Sequence, residues 1–369
     1  MSGITVSGMS GLEGIVAAET ELSMVDGEAG ELIIAGFPVE ELAPNARFEE
    51  TVELLWKRPF DPGAGPPAMT YDLLAAAATR RADPMDALRM AVGTLTATSD
   101  EAAARDILTA LPIIVAAYWR LLHDQAPVAP RGDLGHAANY LYMLTGEVPS
   151  DERVRGLETY LNTVVDHGLN ASTFTARVIA STGSDFVSAV TGAIGALKGP
   201  LHGGAPGPAL DMVFEIGNVA RAEEVLRRKI EGGERLMGFG HRVYKVRDPR
   251  ADVLAAAAER MLGPGNALYD LARGVEAVAL RLLEEYKPGR RLQTNVEFYT
   301  ALVLHGVGME VPLFTPTFAI SRAAGWLAHC FEQRRANRII RPQSVYVGPR
   351  GRQWDATPAA RPRITAGRA

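Results

Sequence analysis

From Val39 onward the apolar residues of this chain recur almost without a break at helical spacing, and no other feature limits its fold as strongly. Apolar residues three and four positions apart line one face of a helix, and that face has to be buried against another element. The spacing predicts helices over 49–56, 84–95, 99–123 (with Pro112 as a kink), 134–144, 151–167, 185–197, 221–231, 249–262, 266–286, 296–304 and 317–335. The last of these is read as starting after Pro316. Val154, Leu157, Leu161, Val164 and Val165 show the pattern clearly and put His167 at the end of an amphipathic helix. Residues 185–197 are rich in Ala, Gly and Val, small enough for close and buried helix packing. Only residues 11–40 differ. Their short apolar runs, Gly14–Ala17 and Glu31–Ala35, separated by a turn at Asp26-Gly27, predict a hairpin. The class is therefore all-α with a short N-terminal β-hairpin.

Three stretches interrupt the helices. Residues 127–131 form a Pro-rich linker, and residues 198–208, K-G-P-L-H-G-G-A-P-G-P, hold too much Gly and Pro for a regular element. A third break lies at Pro312–Pro316. The last two breaks predict a large helical domain of residues 1–207 and 313–369, and a smaller mobile one of 208–312 that suits a lid. From Arg334 to Ala369 nine Arg face a single acid, Asp355, with four Pro among them, which predicts an extended tail.

A net charge of −5 opposes nucleic acid as a partner, including for the Arg-rich tail. Cys330 is the one cysteine, which excludes an internal disulfide framework and fits a reducing, cytoplasmic compartment. Met1–Ser10 lacks the features of a signal peptide, and the apolar window Ile107–Leu122 is short and broken by Pro112 and Arg120, so no membrane association is expected. There is no P-loop, no G-x-G-x-x-G after a strand and no G-x-S-x-G.

The stretch Gly238–Arg250, G-F-G-H-R-V-Y-K-V-R-D-P-R, has the composition of a site. Glycines let backbone approach a ligand, and Arg242, Lys245, Arg247 and Arg250 around His241 suit a ligand with several negative charges. His202, in L-H-G-G, precedes a helix whose N-terminus would keep it neutral and able to donate a hydrogen bond; the alternative is a turn histidine. His167 opens H-G-L-N-A-S-T and reads equally as a helix C-terminal residue with Gly168 beyond it. Glu297, in N-V-E-F-Y, reads by itself as an acid complementing a helix dipole. Arg322 and Arg341 read singly as solvated surface. Zinc is not expected, because His167, His202 and His241 are scattered and lack a ligand spacing. As a set these residues have one chemical sense. Arginines bind a dicarboxylate, neutral histidines polarise carbonyls, and one carboxylate removes a proton next to a carbonyl.

HGLNASTFTARVIAST, KGPLHGGAP, MGFGHRVYKVRDPR, NVEFYTALV, SRAAGW and NRIIRPQSVYVG together resemble the citrate synthase family, in its order and spacing, from about Gly11 to Gly348. The length resembles the short bacterial and archaeal form. The resemblance implies an all-helical homodimer of two-domain subunits. It implies condensation of acetyl-CoA with oxaloacetate to citrate and free CoA, a tricarboxylic acid cycle reaction, with no metal and no cofactor. By motif, His202 would bond the thioester oxygen, Glu297 would take the methyl proton, and His241 would polarise and protonate the ketone oxygen. His167, Arg250, Arg322 and Arg341 would hold the oxaloacetate carboxylates, with Arg341 coming from the partner subunit. Lys245, Met237, Gly238, Phe239 and Gly240 would lie near CoA. The chain departs from the family's N-V-D-F-Y at Glu297, whose carboxylate sits one methylene further out, where a shift of about 1 Å can cost on the order of 10²-fold in rate. A 2-methylcitrate synthase using propionyl-CoA is the alternative, since one methylene in a pocket is worth only about 1–3 kcal/mol. A non-catalytic protein binding CoA or a dicarboxylate is the third reading.

Overall fold

An Asx turn sets the first structure in the chain. Asp26 Oδ1 accepts the amides of Glu28 and Ala29, both at 2.9 Å, and Gly30 N donates to Asp26 O at 2.9 Å. That closure pairs Asp26 with Glu31 and lays β1 (Ser23–Asp26) antiparallel to β2 (Glu31–Ile34), with β3 (Phe37–Pro38) following on the other side of β2. The expected hairpin is therefore a three-stranded meander, and its first strand is not the run Gly14–Ala17. A turn dictates the register of the residues next to it, and Ile15 and Val16, far from this turn, are exposed. Leu32 and Ile34 of β2 are buried under the sheet.

The structure, a computed structural model, describes residues 12, 14–203, 206–240, 243–263 and 265–351. They divide into one unit ending at Ile339 and a second beginning at Ile340. The first unit continues with α1 (Val39–Leu42), α2 (Phe48–Trp56), α3 (Ala68–Thr79), α4 (Pro84–Val92), α5 (Asp100–Leu122), α6 (His136–Thr145), α7 (Asp151–Val164) and α8 (Ala171–Ser181). Then come α9 (Phe186–Leu197), α10 (Pro206–Ile216), α11 (Val219–Glu231), α12 (Pro249–Leu262), α13 (Ala267–Tyr286) and α14 (Val296–Gly306). A 3₁₀ turn over Val311–Leu313 leads into α15 (Phe314–Ala336). The all-α reading holds. In the second unit residues 340–351 form no helix or strand.

Several boundaries differ from the sequence pattern for identifiable reasons. Helices α10 and α15 carry Pro206 and Pro316 in their first turns, where the missing amide hydrogen has no partner to lose. Proline there starts a helix and does not prevent one. Helices α3 and α8 escape periodicity because α3 carries a run of four alanines near its end and α8 mixes small polar residues with apolar ones. Helix α7 ends at Val164, so His167 lies beyond its cap in the turn leading to α8. Helix α5 runs through Pro112 and is long and apolar enough, by length and composition, to cross a bilayer. Its residues Ile107–Tyr118 are instead mostly buried against α3, α4, α6, α9 and α15.

Helix α15 is the centre of the first unit, touching α2, α4, α5, α7, α8 and α9. It is buried around most of its circumference, yet it carries Arg322, His329, Glu332 and Gln333. Buried charge has to be paired, and a continuous chain does this. Arg177 of α8 donates to Glu332 Oε2 at 2.8 Å, to His329 Nδ1 at 2.9 Å and to Gln333 Oε1 at 3.1 Å. A guanidinium can only donate, so His329 carries its hydrogen on Nε2 and gives it to Asp166 Oδ2 at 3.3 Å. Asp166 also accepts Ser23 Oγ at 2.5 Å, and Ser23 accepts Gly168 N at 2.9 Å. The chain thus ties α8, α15 and β1 to the turn beside His167. Glu332→Ala strands Arg177, which is 3% exposed, and is expected to cost about 3 kcal/mol or more. The denaturant midpoint reads this at unchanged slope, and a loss below about 0.5 kcal/mol contradicts it.

Candidate active site

The turn between α7 and α8 and the middle of α15 form one wall. His167 Nε2 lies 3.1 Å from the hydroxyl of Tyr244, with the two rings edge to face at 5.7 Å. Arg322 donates Nε to Val164 O at 2.7 Å, stacks 4.7 Å above the ring of Phe318, one helical turn earlier, and is 2% exposed. The surface reading of Arg322 is therefore corrected: packing has buried it. Among the described residues no carboxylate lies within 4.0 Å of it. Burial, and then the charge of Arg250, pull its pKa down to about 10, while Asp166 works the other way.

His202 sits in the turn after α9, its Nε2 2.8 Å from Ser172 Oγ and its ring edge-on to Phe318 at 6.3 Å. Phe318 thus lies between His202 and Arg322. Burial first, and then Arg322, lower the His202 pKa to about 4. The expected neutrality is there, and burial and a nearby cation produce it. Ser172 governs the ring's tautomer. Its Oγ accepts Trp326 Nε1–H at 3.1 Å and lies 2.8 Å from Asn170 Oδ1 as well as from His202. One hydroxyl proton serves one of these two acceptors. Given to Asn170, it leaves the His202 hydrogen on Nε2; given to His202, it moves that hydrogen to Nδ1.

The opposite wall comes from the starts of α12 and α14. Asp248 caps α12 by accepting Arg250 N at 3.1 Å, and grips the same residue's guanidinium through Nε at 2.9 Å and the Nη2 nitrogen at 2.8 Å. Its Oδ2 also accepts Val296 N at 3.2 Å, so one buried carboxylate holds Arg250 and the start of α14 together. Burial alone would lower the Arg250 pKa, but Asp248 outweighs it and raises it. Glu297, second in α14 and half-buried, has its pKa raised by burial and then by Asp248, against Arg250 and Arg235. A dipole-complementing surface acid would shift downward, so the helix-dipole reading of Glu297 is not enough.

Gly238 and Gly240 have φ of 86° and 80°, where other residues are strained, and a Cβ on Gly238 would meet Phe298 at 2.9 Å. Their segment is stitched to the entry of α14: Asn295 N donates to Gly238 O at 3.0 Å, and Gly240 N to Gln293 O at 2.7 Å. Asn295 Nδ2 also donates to Gly240 O at 2.8 Å. Phe239 is buried against Phe298, and Met237 is half-buried. Lys245 is exposed and gives its amide to Gly27 O at 2.8 Å. Gly27 has to be glycine, since a Cβ would lie 2.2 Å from Val243 O. Arg247, one of the cations of this stretch, is taken up internally by Asp252 at 2.5 Å and Glu276 at 2.8 Å, which corrects its reading as ligand-facing. His241 and Arg242 lie outside the described residues. Arg341 belongs to the second unit, where it is exposed.

The structure therefore brings His167, His202, Arg250, Glu297 and Arg322 into one linked set. It adds Ser172, Tyr244, Asp248, Phe318 and Trp326, which sequence reasoning left unassigned. A signal for two of these existed: Phe318, Arg322 and Trp326 stand four residues apart on one face of α15. A cavity of about 600 Å³ at the ends of α5, α6 and α14 shares no residue with this set. Among the described residues no group of three His, Cys, Asp or Glu is placed to hold a metal ion.

A family model described as citrate synthase, C-terminal domain, matches residues 11–343. The chain is 39% identical to the citrate synthase of Haloferax volcanii, over 94% of this chain and 97% of that one. It is 38% identical to a 2-methylcitrate synthase of Mycobacterium tuberculosis, over 92% and 90% of the two chains. Its fold superimposes with a TM-score of 0.82 on citrate synthase from Thermoplasma acidophilum, solved as a ternary complex with carboxymethyl coenzyme A and oxaloacetate, at 27% identity over 94% and 98% of the chains.

The His202 shift sets a pH dependence. Its folded pKa lies below the usual 6.5, so its contribution to stability is present above 6.5 and is lost as the pH falls toward about 4. A ring-resolved NMR titration is expected to show His202 neutral at pH 6 and charging only near 4; a midpoint near 6.5 contradicts the burial argument.

Proposed function

The chain belongs to the citrate synthase family, and from that premise we propose that it condenses acetyl-CoA with oxaloacetate and water to give citrate and CoA. The observation that carries the reading is the pairing of two buried guanidiniums, Arg250 and Arg322, with a half-buried carboxyl of raised pKa, Glu297, on the same site. A dicarboxylate supplies the contacting carboxylate that Arg322 lacks, and arginine frequently binds a carboxylate in bidentate fashion.

In this reading the Glu297 carboxylate removes a methyl proton from the acyl thioester. His202 donates a hydrogen bond to the thioester oxygen as the enol forms. Because Nε2 faces Ser172, the donating nitrogen is Nδ1, which requires Ser172 to turn its hydroxyl toward His202. The enol carbon then attacks the ketone carbon of oxaloacetate, and His241 gives a proton to the new alkoxide. Water hydrolyses the resulting citryl thioester and releases the thiol. His167, Arg250 and Arg322 hold the carboxylates, and Lys245 with residues 237–240 faces CoA. The Thermoplasma relative, whose complex contains oxaloacetate and carboxymethyl coenzyme A, supports this assignment of ligands.

Two further parts of the proposal concern assembly. Residues 208–312 act as a lid on 1–207 and 313–369; in support, Arg250 and Glu297 belong to the first segment and His167, His202 and Arg322 to the others. The chain works as a homodimer in which Arg341 of the tail completes the partner's site. In support, Val345, Tyr346 and Val347 in that tail are exposed apolar side chains at 71%, 61% and 93%. A cytoplasmic location and the absence of a cofactor complete the proposal.

The 2-methylcitrate synthase reading is kept because that relative is nearly as similar, at 38% against 39%. The test follows thiol release with oxaloacetate and either acetyl-CoA or propionyl-CoA. We expect a higher kcat/KM for acetyl-CoA, falling on the acid side through a single limb above the usual glutamate value of 4.5, because Glu297 has to be ionised to act. A strong preference for propionyl-CoA overturns the choice of acyl group. Absence of thiol release with both overturns the reaction.

A further inference from the structure

Tyr244 is buried in a loop that otherwise faces solvent. It is 3% exposed, while Val243 and Val246 around it are 41% and 37% exposed. Such a loop turns one side chain inward only where that side chain has something to meet. The loop's position is fixed from outside by the β1–β2 turn, through the Lys245 N to Gly27 O bond of 2.8 Å and the close approach of Gly27 to Val243 O. Inward, the hydroxyl lies 3.1 Å from His167 Nε2, and the ring lies 5.6 Å from the guanidinium carbon of Arg250. Burial raises the phenol's pKa well above its usual 10, with Asp248 and Glu40 adding to this and Arg250 opposing, so the group stays a neutral hydroxyl.

We infer that Tyr244 is a positioning residue for the dicarboxylate, holding the His167 imidazole by Nε2 and facing the Arg250 guanidinium so that both meet one substrate. The ring limits how far Arg250 can turn, while Asp248 fixes its other side. The contact also spans the two proposed domains, since His167 and Tyr244 fall on opposite sides of the boundary at 207. The inference rests on the reading of His167 and Arg250 as oxaloacetate-binding, and its test separates the two.

Thiol release by the full chain is measured for the wild type, Tyr244→Phe, Tyr244→Leu, His167→Gln and the Phe/Gln double variant, with oxaloacetate and acyl-CoA varied in turn. Loss of one neutral hydrogen bond corresponds to a rise in oxaloacetate KM of about threefold to tenfold for Tyr244→Phe. The KM for acyl-CoA is expected to stay within about twofold, and Tyr244→Leu, which removes the ring too, to raise the oxaloacetate KM further. On the His167→Gln background the Phe substitution is expected to add nothing, a coupling that a merely structural role does not produce. If His167→Gln raises the oxaloacetate KM but Tyr244→Phe does not, or if the two effects add in full, the inference falls while the oxaloacetate reading stands. If the wild type fails to consume oxaloacetate, the reading falls and this inference with it.

Discussion

Two buried guanidiniums within electrostatic reach of each other are the constraint on which the site depends. Arg250 has Asp248 as its carboxylate, through two side-chain hydrogen bonds, and keeps a raised pKa. Arg322 has Val164 O and the face of Phe318 instead, and its pKa is lowered. A buried cation that no carboxylate touches is costly, even with Asp166 within electrostatic reach, and a ligand carboxylate offsets that cost. The same field reaches the other groups. Arg322 helps keep His202 neutral, and Arg250 opposes the burial that raises Glu297. The protonation states needed for acid–base chemistry follow first from burial, with Arg322 adding to it at His202 and Arg250 opposing it at Glu297.

Helix α15 supplies the rigidity behind this arrangement. One face carries Phe318, Arg322 and Trp326 into the site, while His329, Glu332 and Gln333 continue a buried polar chain to Arg177, Asp166 and Ser23. That chain ends at the amide of Gly168, next to His167. The small β-sheet therefore does more than close the N-terminal segment. It touches the site from both sides, through Ser23 at the His167 turn and through Gly27 at the Tyr244 loop. A site built from residues far apart in sequence depends on such supports to hold its geometry.

Much of this was legible in the sequence because helices with an apolar stripe announce themselves. The order of the long helices and the two Gly/Pro breaks could be read from spacing and residue type, while the polar set around His167, His202, Arg250, Glu297 and Arg322 stands out only when its residues are combined with the family resemblance. What failed has physical reasons. The Gly14–Ala17 run has β propensity but no turn beside it, and the Asx turn at Asp26 chose Ser23–Asp26 instead. Pro206 and Pro316 fall within the breaks of the sequence pattern, which starts the last helix only after Pro316, yet both occupy first turns, where proline is tolerated. Arg322 looked like surface because burial of an arginine depends on tertiary packing that local sequence does not encode. Arg247 looked ligand-facing because its partner Glu276 lies 29 residues away on α13. Tyr244 and Ser172 act on histidines through tertiary hydrogen bonds, which no spacing rule shows.

The claim that an anion completes the charge of Arg322 is open to one direct measurement. Calorimetric titration of the wild type and of Arg322→Gln with oxaloacetate alone, without acyl-CoA, isolates binding from chemistry. Loss of a buried charged partner for the carboxylate costs about 2–5 kcal/mol, so the variant is expected to bind at least about thirtyfold more weakly, with a smaller dependence on salt. Equal affinity in the two proteins would contradict the account, because Arg322 would then be a buried cation that the substrate does not use.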